Sequence, residues 1–169
     1  MTVARRAGFL MLLAAAPAPI GGCGNGDSPA EPRPAATLTA PSFTTAPGQR
    51  ANEDLLLRTN RPSAGLQVEV VGPPEVVVEG VQATGRASGL ESSAFQNLAP
   101  GRARVLLFDL AGAAAIPAGA GPVLTLTFRT ATGAPGGDFP LELEDGLVVD
   151  QNGEAFDLTL EDGRVSVQR

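Results

Sequence analysis

The sequence predicts an all-β fold: an antiparallel β-sandwich of jelly-roll type with about nine strands. Three observations carry that expectation. Apolar and polar residues alternate with a period of two in several short runs, and no longer stretch keeps a helical period. Turn signals built from Gly, Pro, Asn and Asp separate the runs. The runs recur at the short, even spacing of sandwich and barrel strands.

Taken in order, the pattern changes to short strands from about Thr37. A Pro47-Gly48 step follows, and then the run 54–59. Leu66, Val68 and Val70 alternate with Gln67 and Glu69, giving one apolar and one wet face. Gly72-Pro73-Pro74 stops that strand before a valine-rich run, 75–81. Pro100-Gly101 introduces the run 102–108. Leu124, Leu126 and Phe128 alternate with Thr125, Thr127 and Arg129, and Pro135-Gly136-Gly137 ends that segment. Leu141 and Leu143 alternate with Glu142 and Glu144, with Asp145-Gly146 read as the next turn. Asn152-Gly153 marks a hairpin turn, since Asn-Gly favours positive φ. Phe156, Leu158 and Leu160 alternate with Asp157, Thr159 and Glu161, and Asp162-Gly163 leads into the last run, 164–167.

The N-terminus carries a different signal. Arg5 and Arg6 precede the short apolar run 8–16, and Pro17 and Pro19 interrupt it. A bilayer-spanning helix needs roughly 20 apolar residues, so the segment reads as a cleaved export signal. Ile20-Gly21-Gly22-Cys23 resembles the lipobox of bacterial lipoproteins, an aliphatic residue and two small ones before a cysteine. The resemblance implies removal of residues 1–22 and lipidation of Cys23, the only cysteine in the chain. Two or more acyl chains make an effectively permanent membrane anchor. Gly24 stands where an Asp would favour inner-membrane retention, so the expected location is the cell envelope at the outer membrane. Residues 23–36 are rich in Gly, Pro and polar groups and read as a tether. Residues 37–169 are the domain, long enough to form a core without a disulfide.

Composition excludes several chemistries. The chain has no His and no Lys, which removes His-based triads and lysine nucleophiles. With Cys23 lipidated there is no thiolate for zinc or redox work, and no phosphate-cradling loop occurs. The net charge is −6, so a nucleic-acid partner is not expected. Only carboxylates remain as catalytic groups, and those on alternating strands read as solvated faces. The chain is therefore read as non-catalytic, with no cofactor and no metal. The segment 150–154 resembles a calcium loop faintly but lacks the acid spacing, and reads as a turn. Of seven Phe, Phe128 and Phe156 sit on core-facing positions, while Phe95 and Phe108 are less clearly placed. An aromatic sugar-binding platform is thus weakly supported.

The ordered set of features over residues 37–168 resembles the cohesin-like domains. It comprises Ala46-Pro47-Gly48-Gln49, the strand 64–70 running into Pro73-Pro74 and the valines 76–78, Ala99-Pro100-Gly101-Arg102 before an apolar strand, the segment 119–129, and the closing segments 147–154 and 162–167. The resemblance implies a jelly-roll sandwich that binds a protein partner, dockerin-like or a component of the envelope. Where cellulosomal cohesins commonly carry an aromatic-Asp-Pro pattern, this chain has Val71-Gly72-Pro73-Pro74, and it contains no Tyr or Trp. Gln67, Glu69, Arg102 and Arg104 are the expected contact residues on an open sheet face, and they read equally as ordinary solvated positions. Two further roles stay open: binding of polysaccharide, and service as a structural accessory of a secretion or pilus complex.

Overall fold

A computed structural model describes residues 33, 35–109, 112 and 114–169. The signal, Cys23 and nearly all of the tether lie outside the described residues. Eleven strands are present among them. They are β1 (Ala35–Thr39), β2 (Ser42–Thr45), β3 (Arg50–Thr59), β4 (Gly65–Val71), β5 (Val76–Ala83), β6 (Ser92–Ala99), β7 (Arg102–Phe108), β8 (Gly119–Thr130), β9 (Gly137–Val149), β10 (Asp157–Glu161) and β11 (Gly163–Val167). A single 3-10 turn, Gly85–Ala87, links β5 to β6. One sheet has the order β10-β1-β3-β8-β5, the other β2-β11-β9-β4-β7-β6.

The expected sandwich is therefore present, with two corrections. The chain makes about nine runs, but two of them count twice. The first run breaks at Ala40-Pro41 and passes from the five-stranded to the six-stranded sheet as β1 and β2, and the last run breaks at Asp162 as β10 and β11. The sheets are also mixed. The first and last runs travel side by side in the same direction, so β1 pairs β10 and β2 pairs β11 in parallel, while the other pairs are antiparallel. β1 begins at Ala35, two residues before the boundary read from sequence, and Ala36 is already buried.

The alternation explains the core. Leu38, Leu55, Leu57, Leu126 and Phe128 point inward from one sheet, and Val68, Val70, Val105, Leu107, Leu141 and Val165 from the other. Each such side chain stabilises by about 1.5–3 kcal/mol when fully buried. The rings of Phe43 and Phe128 meet across the sandwich at 5.0 Å with a 31° tilt. Phe156 is buried as expected, and Phe95 and Phe139 pack partly against the core.

Two sequence turns are not turns. Asp145-Gly146 lies inside β9, as a bulge. Gln67 pairs with Leu147 and Glu69 with Glu144, so Asp145 and Gly146 together face Val68 alone. Asp145 takes φ 47°, and a Cβ on Gly146 would lie 2.8 Å from the Leu158 and Leu160 side chains. A bulge and a hairpin both call for Asp-Gly, which is why the dipeptide misled. Asp162-Gly163 is the corner crossing, and its Asp Oδ1 accepts the Leu143 amide at 2.9 Å. Asn152-Gly153 is a turn as expected. Asp150 Oδ1 accepts the amides of Asn152 (2.8 Å) and Glu154 (2.9 Å), and these bonds hold its carboxyl below the ordinary aspartate range.

Candidate binding face

The outer face of the six-stranded sheet carries all four contact residues expected from the sequence. Period two sends Leu66, Val68 and Val70 of β4 inward, leaving Gln67 and Glu69 outward. On β7 it buries Ala103, Val105 and Leu107, so Arg102, Arg104, Leu106 and Phe108 face out. The antiparallel register then sets Glu69 beside Arg104, Val71 beside Arg102, and Gln67 beside Leu106. The bulge in β9 turns both Glu144 and Leu147 to this face, although they are three residues apart.

The face divides into two halves. At one end Glu69 is clasped by two guanidinia. Arg102 Nη1 donates to its Oε2 at 2.6 Å, and Arg104 donates to Oε1 from Nη2 at 2.5 Å and from Nε at 3.2 Å. Arg102 Nη2 also reaches Glu144 Oε2 at 2.7 Å. The hydrogen bonds from Arg104 and then Arg102 hold the Glu69 carboxyl below the usual carboxylate range. The bonds to Glu69 and Glu144 push the Arg102 guanidinium up. Glu69 is consequently covered, with its side chain 4% exposed, rather than open as the sequence suggested. Its polar capacity is spent inside the molecule, while Arg102 and Arg104 remain partly open to solvent.

At the other end the face is apolar. Gly65, Gln67, Leu106, Phe108, Leu147 and Val149 surround a shallow hollow of about 210 Å³. Leu147 is 44% exposed, one of three large apolar side chains so placed among the described residues. Gln67 belongs to this half. The structure thus brings Glu69, Arg102 and Arg104 together and sets Gln67 apart from them.

Sequence reasoning missed Leu106, Phe108, Leu147 and Val149. A signal was available. Val105-Leu106-Leu107-Phe108 and Leu147-Val148-Val149 are unbroken apolar runs, and a strand with period two must turn half of such a run away from its own core. Glu144, read as a solvated position, is the fourth member of the charged cluster.

No protein-family model matches this chain, and no curated protein matches it in sequence. Solved structures do match in shape. The sixth cohesin of scaffoldin B from Acetivibrio cellulolyticus, solved in complex with a dockerin, is 13% identical with a TM-score of 0.68, covering 79% of this chain and 99% of that one. The cohesin of a type I cohesin–dockerin complex from Clostridium thermocellum is 17% identical with a TM-score of 0.68, covering 79% and 99%. A non-cellulosomal cohesin from the archaeon Archaeoglobus fulgidus is 16% identical with a TM-score of 0.64, covering 80% and 92%. At these identities the likeness is one of architecture, and residues 35–169 have the fold of cohesin domains.

Proposed function

We propose that this chain is a non-catalytic, lipid-anchored binding module that holds a protein partner at the cell envelope, docked on the outer face of the six-stranded sheet. The observation that carries the reading is the apolar half of that face. Leu106, Phe108, Leu147 and Val149 stand on the wet side of a sheet whose core lies on the other side, beside charges already paired with one another. A contiguous apolar patch on the solvent side of a sheet supports an interaction site. The dockerin-bound state of cohesins with the same architecture supports a protein as the occupant. The lipobox-like Ile20-Gly21-Gly22-Cys23 supports the anchor and the envelope location.

The test is affinity capture from the host's own membrane extract with the full chain and with Leu147→Arg as bait. The expected result is a protein held by the parent and lost from the variant, with both chains melting at the same temperature. Equal capture by the two baits sinks the assignment of the face. If a captured protein carries paired calcium loops and is released by chelator, it is a dockerin-type partner. If it is a secretion or pilus component, the accessory role is supported.

A further inference from the structure

The opposite, five-stranded sheet has a different outer face. Along most of it the polar groups consume one another. Thr125 Oγ1 donates to Asp54 Oδ1 at 2.7 Å and Thr127 Oγ1 to Asn52 Oδ1 at 2.8 Å. Arg50 and Arg129 both bond Glu79, at 2.7 and 3.1 Å. That self-pairing thins at one end, where β10, β1, β3 and β8 lie side by side. Thr39 Oγ1 still donates to Glu161 Oε2 at 2.7 Å, and the Asn60 side chain accepts the Ala35 amide and donates to the Arg33 carbonyl, but the groups between them are left open. There the register lines up Thr159, Thr37, Arg58 and Ala120 across four strands, with Asp157 in the adjoining row. None of the side chains of Thr37, Arg58, Asp157 and Thr159 has a hydrogen-bond or ion-pair partner among the described residues.

These unspent groups line a groove of about 580 Å³, within the range of small-ligand sites. A second hollow of about 240 Å³ continues it and shares Thr37, Arg58 and Ala120. The floor is low because β8 enters it as Gly119-Ala120-Gly121. That stretch is fixed from behind. Arg86 donates to the carbonyls of Leu57 (2.6 Å) and Pro117, tying the start of β8 to β3, and a Cβ on Gly121 would crowd the Arg86 side chain at 3.3 Å. Leu56, 43% exposed, supplies an apolar wall in the second hollow.

We infer that this groove is a second binding site, independent of the docking face, and that it takes a strand of neutral glycan. Its chemistry selects the class. Arg58 offers donors, Asp157 offers acceptors, and the two threonines offer both. A neutral polyhydroxylated chain satisfies all four. A polyanion meets Asp157 and Glu161, and a cationic peptide meets Arg58, so each leaves a charge opposed. Leu56 gives a sugar ring's C–H face somewhere to rest without an aromatic platform. A module with both sites would hold a protein partner on one sheet and the surrounding polysaccharide on the other.

The experiment is calorimetric titration of the full chain, in detergent, with xylohexaose and cellohexaose. Polygalacturonate and an oligolysine serve as charged controls. At least one neutral hexasaccharide is expected to bind with a Kd below about 1 mM. Arg58→Ala and Asp157→Ala should each weaken it about tenfold or more. Ala120→Arg, at an exposed position on the groove floor, should abolish binding without lowering the melting temperature. Thr127→Ala and Leu147→Arg should leave the titration unchanged, which keeps this test separate from the docking one. Failure of both neutral sugars to bind overturns the inference, and so does binding that survives Ala120→Arg. Tighter, groove-dependent binding of either charged control would also overturn it, in favour of a polyanion or a basic peptide.

Discussion

The corner where the two terminal runs change sheets makes a sharp prediction through Gly163. Ala40 N donates to Glu161 O at 2.8 Å there, and the parallel pairs Thr39–Glu161 and Ser42–Arg164 bracket the crossing. A Cβ on Gly163 would lie 2.0 Å from the Pro41 carbonyl oxygen, 2.8 Å from its carbon and 3.0 Å from the Ala40 oxygen. Ordinary contact begins at 3.4 Å, and the obstacle is backbone rather than a side chain that could swing away. Gly163→Ala must therefore part the first and last runs or break their register. Overpacking commonly costs 1–3 kcal/mol, and a backbone collision belongs at the upper end, about 3 kcal/mol. For a domain of this length each kcal/mol moves the midpoint by about 3–5 °C, so Tm should fall by about 10–15 °C. The assay is thermal unfolding followed by circular dichroism on the full chain. Gly133→Ala is the control. It has no heavy atom within 4 Å of the added carbon, and its effect should stay within about 0.5 kcal/mol. If Gly163→Ala melts within about 2 °C of the parent, the reasoning from corner packing is refuted.

Three further outcomes are expected. Phe128→Ala removes a ring that is 1% exposed and contacts Phe43, and should cost about 3–5 kcal/mol in urea unfolding; a loss under about 1 kcal/mol would contradict its place in the core. Arg104 and Arg102 lower the folded-state pKa of Glu69, so its contribution is fully present above the unfolded carboxylate range and is lost as pH falls through the folded value. The Tm gap between the parent and Glu69→Gln should accordingly stay constant near neutrality and close in acid, and a gap that persists in acid argues against the paired carboxylate. Cys23→Ser should abolish palmitate labelling in the host and release the protein from the membrane fraction; retention there without label would remove the lipid-anchor proposal.

The core was legible in the sequence because burial on one face of a strand leaves a period-two trace. Leu66-Val68-Val70 and Leu124-Leu126-Phe128 point inward as that trace requires. What stayed hidden follows from pairing between distant segments. β6 (Ser92–Ala99) has only Phe95 packed partly against the core, so it carries no alternation to read. Its place at the edge is fixed by β7, and by Ser93 and Asn97 side chains that donate to the Val81 and Val78 carbonyls. The parallel pairs at the two termini depend on chain ends more than a hundred residues apart, which no local pattern encodes. Strand parity alone put Gln67, Glu69, Arg102 and Arg104 on the outer side of the six-stranded sheet, where they lie. It could not reveal that Glu69 is enclosed, because enclosure depends on β9 and its bulge as well as on β7.

That enclosure bears on how the face could hold a partner. A charge already satisfied by two guanidinia gains little from a new ion pair, and covering the cluster strips water from Arg102 and Arg104 at a cost. If the proposed docking holds, the charged half would therefore serve best as a polar rim that sets orientation and disfavours partners with the wrong charge. On the proposed docking face, attraction would then come mainly from the apolar half, where Leu147 and its neighbours lose only unfavourable hydration. Interfaces concentrate their energy in such desolvated centres, surrounded by contacts that matter little when removed singly. This reverses the ranking that the sequence invites. The four polar residues draw attention because their type suggests recognition, yet three of them are engaged with one another. Substituting Leu147 should consequently cost more affinity than substituting Arg104, measured on one captured partner at one salt concentration. Arg104→Ala should instead alter the salt dependence and the association rate. The opposite ranking would mean that the ion cluster opens on binding and that Glu69 exchanges one of its arginines for a cation of the partner.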